Sequence, residues 1–180
     1  AQINAEGYAT AYAYDRLGNL IETTRYLTPI TNAHSGQWSQ DKPSASPKDI
    51  HNYSLYDARG LKVADVDGEG YLIEYRYDNR GLLQERIAYE QAIAKNTLIT
   101  AATTLEQIRP KERNNDQHSS YQYNDLGLIT QEKTQAGLVS TYVYNEMGQL
   151  LSKTLTDEQT YASRQQRYRY DALGRVIQSL

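Results

Sequence analysis

Short alternating stretches, none longer than a few residues, make up most of this chain. Tyr12-x-Tyr14, Tyr75-x-Tyr77, Tyr121-x-Tyr123, Tyr142-x-Tyr144 and Tyr168-x-Tyr170 each place two aromatic rings at period two, which puts both on one face of a β-strand. Each pair runs into a polar stretch closed by glycine, and an apolar pair follows: Leu20-Ile21, Leu82-Leu83, Leu128-Ile129, Leu150-Leu151 and Val176-Ile177. Strand, tight turn and returning strand make a β-hairpin.

The turn itself is a motif of tyrosine, an acid or asparagine, and glycine at fixed spacing, present six times. The copies are Tyr14, Asp15 and Gly18; Tyr56, Asp57 and Gly60; Tyr77, Asp78 and Gly81; Tyr123, Asn124 and Gly127; Tyr144, Asn145 and Gly148; and Tyr170, Asp171 and Gly174. Asp or Asn at the first turn position accepts a hydrogen bond from the N–H two residues on. Glycine takes the positive φ that ends a type I turn in a bulge. The second copy departs from the pattern, with Ser54 in place of the first tyrosine and Lys62 where the others are apolar, so that hairpin is expected to be more exposed.

Upstream glycines reveal a larger unit. Gly7, Gly70 and Gly137 each lie seven residues before a motif tyrosine, where the opposite turn belongs, and they are 63 and 67 residues apart. The chain therefore reads as two and a half super-repeats of two hairpins, spanning about 4–66, 67–133 and 134–180. Inserts follow the first hairpin of a super-repeat, at 27–52 and 90–120, with only a short stretch around 156–166 in the third. The first insert, with Pro29, Gly36, Pro43 and Pro47, reads as surface loop. In the second, 90–95 and 103–109 (the latter stopped by Pro110) read as short helical turns. Loops carry function more often than scaffold strands, so the inserts are the first place to look for a binding surface.

Composition narrows the fold. Mean hydropathy is −0.76 and 39% of residues are hydrophobic, too little for a thick aliphatic core. Seventeen tyrosines stand against no phenylalanine, which points to aromatic faces that touch water or polar neighbours. The expected fold is all-β: antiparallel hairpins in one twisted, spiralling sheet with loop or short-helix inserts. A lone sheet has edges to cover or extend. With a start at Ala1 in mid-strand and an end just past a motif, the chain is expected to be a piece of something longer.

Chemistry is sparse. The net charge of −3 supplies no basic stripe for nucleic acid, and no apolar run approaches a membrane span. With zero cysteines there is neither disulfide nor thiol chemistry. His34, His51 and His118 fall in or beside the inserts without metal-ligand spacing and read as surface-loop residues. The repeated aspartates read as turn caps rather than acid/base pairs. Asp65, Asp67 and Glu69 alternate around Gly68 and are the one candidate calcium cluster, in a slot where a hairpin turn is required. No cofactor and no catalytic residue is expected. The tyrosine rows have two readings, sugar-stacking platforms or cross-strand stacking that holds the sheet together.

Tyr-x-Tyr-Asp-x-x-Gly-x-Leu/Val, spaced 21 residues from Gly60 to Gly81 and from Gly127 to Gly148, resembles the YD repeat of RHS-repeat proteins. That resemblance implies large secreted or surface proteins: shell subunits of insecticidal toxin complexes, bacterial RHS toxins, and animal teneurins, with a bacterial protein expected here. It implies a structural role, as part of a β-shell or stalk that encloses, presents or delivers another domain. Its partners would be the rest of the repeat array and an enclosed or displayed domain, with glycans or surface proteins as the partners of an adhesin-type alternative. The chain lacks any Asp-Pro pair, so the self-cutting function of RHS toxins does not carry over.

Overall fold

The structure, a computed structural model, describes residues 1–30, 37–94 and 97–179. Among these residues the fold is all-β, with thirteen strands and two single-turn helices. The strands are β1 (Gln2–Ile3), β2 (Ala9–Tyr14), β3 (Leu20–Arg25), β4 (Ile50–Tyr56), β5 (Lys62–Val66), β6 (Leu72–Tyr77), β7 (Leu83–Ala88), β8 (Gln117–Tyr123), β9 (Ile129–Thr134), β10 (Leu138–Tyr144), β11 (Leu150–Asp157), β12 (Ser163–Tyr170) and β13 (Val176–Ser179). Their order in the antiparallel sheet is their order in the chain. Such an order follows when every connection is a hairpin turn or a loop that returns beside the strand it left.

The six motifs form six similar turns. In the first, Gly18 N–H donates to Asp15 O and Asp15 N–H to Asn19 O, and the same pair of bonds recurs at Asp57, Asp78, Asn124, Asn145 and Asp171. The ladder shifts register at Tyr14, Tyr56, Tyr123, Tyr144 and Tyr170, so each of these motifs makes a β-bulge. Gly81 sits at φ 81°, a left-handed conformation that a β-branched residue adopts only with strain.

The chain divides into two compact units, Ala1–Glu74 with Tyr89–Asn114, and Tyr75–Ala88 with Asn115–Leu180. In the first unit, one sheet face is built from Ala13, Glu22, Tyr53, Val66 and Leu72 in one row and Leu55, Ala64 and Glu74 in the next. Leu55, Ala64, Val66 and Leu72 are buried, together with Tyr26 and Tyr89 where the two inserts begin. The second insert supplies Ile99, Leu105 and Ile108, also buried. Hydrophobic burial of this kind is the main stabilising term. Contrary to expectation, the β4–β5 hairpin is among the better-buried parts of the chain. Its Ser54 and Lys62 substitutions fall outside the face that carries Leu55, Ala64 and Val66.

The inserts are shorter than the sequence suggests, because β4 and β8 begin at Ile50 and Gln117. The first is anchored rather than loose. Helix α1 (Trp38–Asp41) sets the Trp38 ring edge-on to Tyr26 at 5.9 Å, and Lys42 Nζ lies 5.8 Å from the same ring. His34 and Gly36 lie outside the described residues. In the second insert, helix α2 (Leu105–Ile108) forms where a helical turn is expected, with Gln107 Oε1 accepting the Thr104 N–H. Residues 90–94 are not helical; Ile93 N–H instead donates to Gly70 O.

Candidate functional site

Each turn-forming acid or amide holds its own loop. Asp15 Oδ1 accepts N–H bonds from Leu17 and Asn19, both at 2.8 Å, and the other five do the same for residues two and four positions on. The shifts in acidity follow from these bonds. Asp15 is held below the usual carboxylate range chiefly by the Asn19 side-chain amide, and Asp171 chiefly by the Arg175 N–H. At Asp57 desolvation pushes upward, yet the bonds from Leu61 and Arg59 win and the group is lowered. An aspartate used this way is a committed acceptor, unsuited to acid/base work.

The motif tyrosines do something that spacing alone did not disclose. Tyr56 Oη donates to Leu20 O at 3.1 Å, Tyr123 Oη to Leu83 O at 2.8 Å, Tyr144 Oη to Ile129 O at 2.9 Å and Tyr170 Oη to Leu150 O at 2.9 Å. In every case the acceptor lies six residues after the motif tyrosine of the preceding hairpin. Each phenol therefore ties its hairpin to the one before it. Burial, with neighbouring phenols adding to it, raises Tyr123 and Tyr144 above the ordinary phenol range, which keeps the donor proton in place. Phenylalanine cannot make this bond, and the seventeen-to-none ratio of tyrosine to phenylalanine was the available signal.

The bases of the two long inserts carry a second device. His51 Nδ1 lies 2.8 Å from Glu22 Oε1, and His118 Nδ1 lies 2.9 Å from Glu85 Oε1. These residues sit in β3–β4 and β7–β8, the strand pairs that flank each insert, so the surface-loop expectation for His51 and His118 is corrected. Thr24 Oγ1 and a stacked Tyr53 ring join the first pair, and Arg76 Nη1 joins the second at 3.0 Å from Glu85 Oε2. Glu22 and Glu85 are 63 residues apart, and His51 and His118 are 67 apart, the offsets of the super-repeat itself. That coincidence was legible, but only to a search for equivalent polar pairs. The third copy, which lacks a long insert, has Ser152 and Gln165 at the equivalent positions.

A third cluster pins the second insert to its sheet. Glu74, 1% exposed, receives Arg109 Nε at 2.9 Å and Arg109 Nη2 at 3.1 Å, and the Tyr89 hydroxyl donates to it at 2.6 Å. The Glu74 hydrogen bonds raise Arg109 above its ordinary range. A buried carboxylate is tolerated only when its oxygens are satisfied in this manner. Two grooves open between the second insert and the sheet. One is lined by Glu22, Tyr53, Tyr56, Thr100 and Thr103, the other by Asp49, His51, Asp67, Ile93 and Thr97.

The candidate calcium ligands are not brought together. Asp65 Oδ1 accepts the Ser54 hydroxyl at 2.6 Å, Asp67 Oδ1 accepts the N–H groups of Glu69 and Tyr71, and Glu69 points into solvent. Among the described residues no group of three or more His, Asp or Glu side chains is arranged to hold a metal. No buried side-chain nitrogen or oxygen lacks a partner among them either. Polar groups here are spent on structure.

A sheet built by iterating one hairpin, with phenol-to-carbonyl ties between units, defines a β-repeat scaffold. Residues 123–160 match the family model described as RHS Repeat. No curated protein matches the chain in sequence. Its fold is that of Tc toxin structures. It superposes on the TcdB2-TccC3-Cdc42 crystal structure with a TM-score of 0.67 at 18% identity, over 93% of this chain and 7% of that one. The Photorhabdus luminescens Tc holotoxin pore gives 0.64 at 18% identity, over 97% and 8%, and the TcdB2-TccC3 crystal structure 0.64 at 17%, over 93% and 7%. The chain thus spans less than a tenth of the length of these structures.

Proposed function

We propose that the chain is a structural segment of a large, secreted or surface-displayed, toxin-related RHS protein of bacterial origin, forming part of a β-wall that encloses, presents or delivers another domain. The observation that carries this reading is the phenol-to-carbonyl tie repeated between hairpins, which lets a sheet lengthen by identical steps without a thick core. The fold shared with Tc toxin structures supports the same reading. A non-catalytic role agrees with polar side chains committed to turns and ties. The test is electron microscopy of the full polypeptide carrying these repeats, combined with protease protection of the domains beside them. A hollow particle walled by repeats and shielding a domain is the expected result. A solid array that leaves every neighbouring domain open to protease removes the enclosing role.

The adhesin-type alternative, glycan or protein binding through the tyrosine face or the inserts, has less support. The four phenols that would orient a sugar already donate to backbone carbonyls. A glycan array on which this chain gives specific signal, abolished by substitutions in the grooves under the second insert, would favour it.

A further inference from the structure

The residue just before each turn glycine is Leu17, Arg59, Arg80, Leu126, Met147 or Leu173. In the last three hairpins, β8–β9, β10–β11 and β12–β13, it is apolar and projects into solvent, with Leu126 68%, Met147 80% and Leu173 77% exposed. Nothing in the turn demands this. The position accepts arginine in two other copies, and a leucine held in water contributes nothing to the fold. A single exposed leucine is ordinary, but a row of three at equivalent positions marks a contact surface.

The geometry of the row limits what fits it. All three hairpins lie side by side in the second unit, so neighbouring tips are separated by two strand spacings, about 9.5 Å. Neighbouring turns are within side-chain reach, because the Arg80 guanidinium donates to Asn124 O at 3.4 Å and to Asp125 O at 3.1 Å. An extended partner advances that distance in about three residues, which turns successive contacts to opposite faces. An α-helix advances about 10.5 Å in seven residues and returns to nearly the same face. A helix lying across the tips therefore meets them with residues at heptad spacing. Charge selects further. Asp125 and Glu146 stand exposed beside Leu126 and Met147, and neither makes an ion pair among the described residues. The carboxylates favour lysine or arginine flanking the partner's apolar stripe, and they disfavour an anionic membrane.

We propose that the turn row Leu126, Met147 and Leu173 is a docking edge for a basic amphipathic helix with apolar residues seven apart. It stands independently of the role proposed for the sheet.

The probe is a synthetic helical peptide of three heptads, with leucine once per heptad and lysines beside it, followed by fluorescence anisotropy against the whole chain. The control peptide has the same composition with its leucines spread around the helix. Binding by the first peptide and not the control is expected. Leu126→Ser, Met147→Ser and Leu173→Ser combined should weaken it about tenfold or more while circular dichroism stays unchanged. Asp125→Asn with Glu146→Gln should weaken it about threefold and flatten its salt dependence. No binding by the chain, equal binding of both peptides, or unchanged affinity in the triple variant overturns the proposal. So does sedimentation showing self-association that the triple variant abolishes, which would make a second copy the occupant. Capture by lipid vesicles in place of the peptide overturns it as well.

Discussion

The two units use the same hairpin and stabilise it differently. In the first, residues 89–114 return over the sheet, and beneath them the face opposite the motif tyrosines carries Leu55, Ala64, Val66 and Leu72, all buried. In the second, the same kind of face on β9–β12 carries Gln131, Thr141, Thr154, Ser152, Gln165 and Arg167, half-buried to exposed. Where the insert is missing, β11 and β12 grow to eight residues each and close directly through a turn at Asp157–Ala162. The lesson is that the hairpin repeat holds itself through ladder bonds, turns and phenol ties. Among the described residues most of the buried apolar core lies where an insert covers the sheet, and on β9–β12 Val139 is buried without one.

The comparison breaks most visibly at the insert's anchor. Arg109→Ala removes two charge-assisted hydrogen bonds from buried Glu74 and should cost about 3 kcal/mol. Urea unfolding should show the loss, and hydrogen exchange should show protection falling across 99–108 first. Replacing both Glu74 and Arg109 by leucine should restore most of the stability. If the single variant unfolds like wild type, the insert is not pinned by this pair.

Next in size are changes to the shared hairpin, which both units should feel alike. Gly81→Val forces a β-branched residue to φ 81° and should cost about 1–3 kcal/mol. Thermal melting that matches wild type would contradict the turn geometry.

The phenol ties should be individually smaller. Tyr144→Phe removes one hydroxyl from Ile129 O and should cost about 1 kcal/mol. Tyr14→Phe serves as the control, since that ring is 60% exposed, and its midpoint should not move.

The finest contrast is acidity. Asp15, Asp57 and Asp171 have depressed pKa values, so their contribution to folding is full above the ordinary carboxylate value of about 3.9 and is lost as pH falls through the lower folded values. Asn124 and Asn145 occupy the same site with nothing to titrate. Amide resonances of Leu17, Arg59 and Leu173 should shift between pH 5 and 2, a range of about three units around that value. Those of Leu128 and Gln149, which donate to Asn124 and Asn145 and adjoin no carboxylate, should hold still. Equal shifts at all five would mean that the carboxylates are not the cause.

The hairpins were legible because their determinants are local. Tyr at period two, an acceptor at the first turn position and a glycine at positive φ act within a few residues of one another. The second helix was equally local, carried by Thr104, Leu105 and Pro110. His51 and His118 were misread because their neighbours in sequence are loop-like, while the partners that define them, Glu22 and Glu85, lie 29 and 33 residues away. The β4–β5 hairpin was misread for a related reason, since its exposure depends on what lies over it rather than on Ser54 or Lys62.

By itself the sequence determined the hairpin, its repetition and the all-β class, because these rest on backbone preferences and period-two patterning. Only the tertiary structure decided which hairpins are covered, that Arg109 closes on Glu74, and that Tyr56, Tyr123, Tyr144 and Tyr170 each reach the hairpin before their own. Those outcomes depend on distances between segments 15 to 40 residues apart in the chain, which no local pattern encodes.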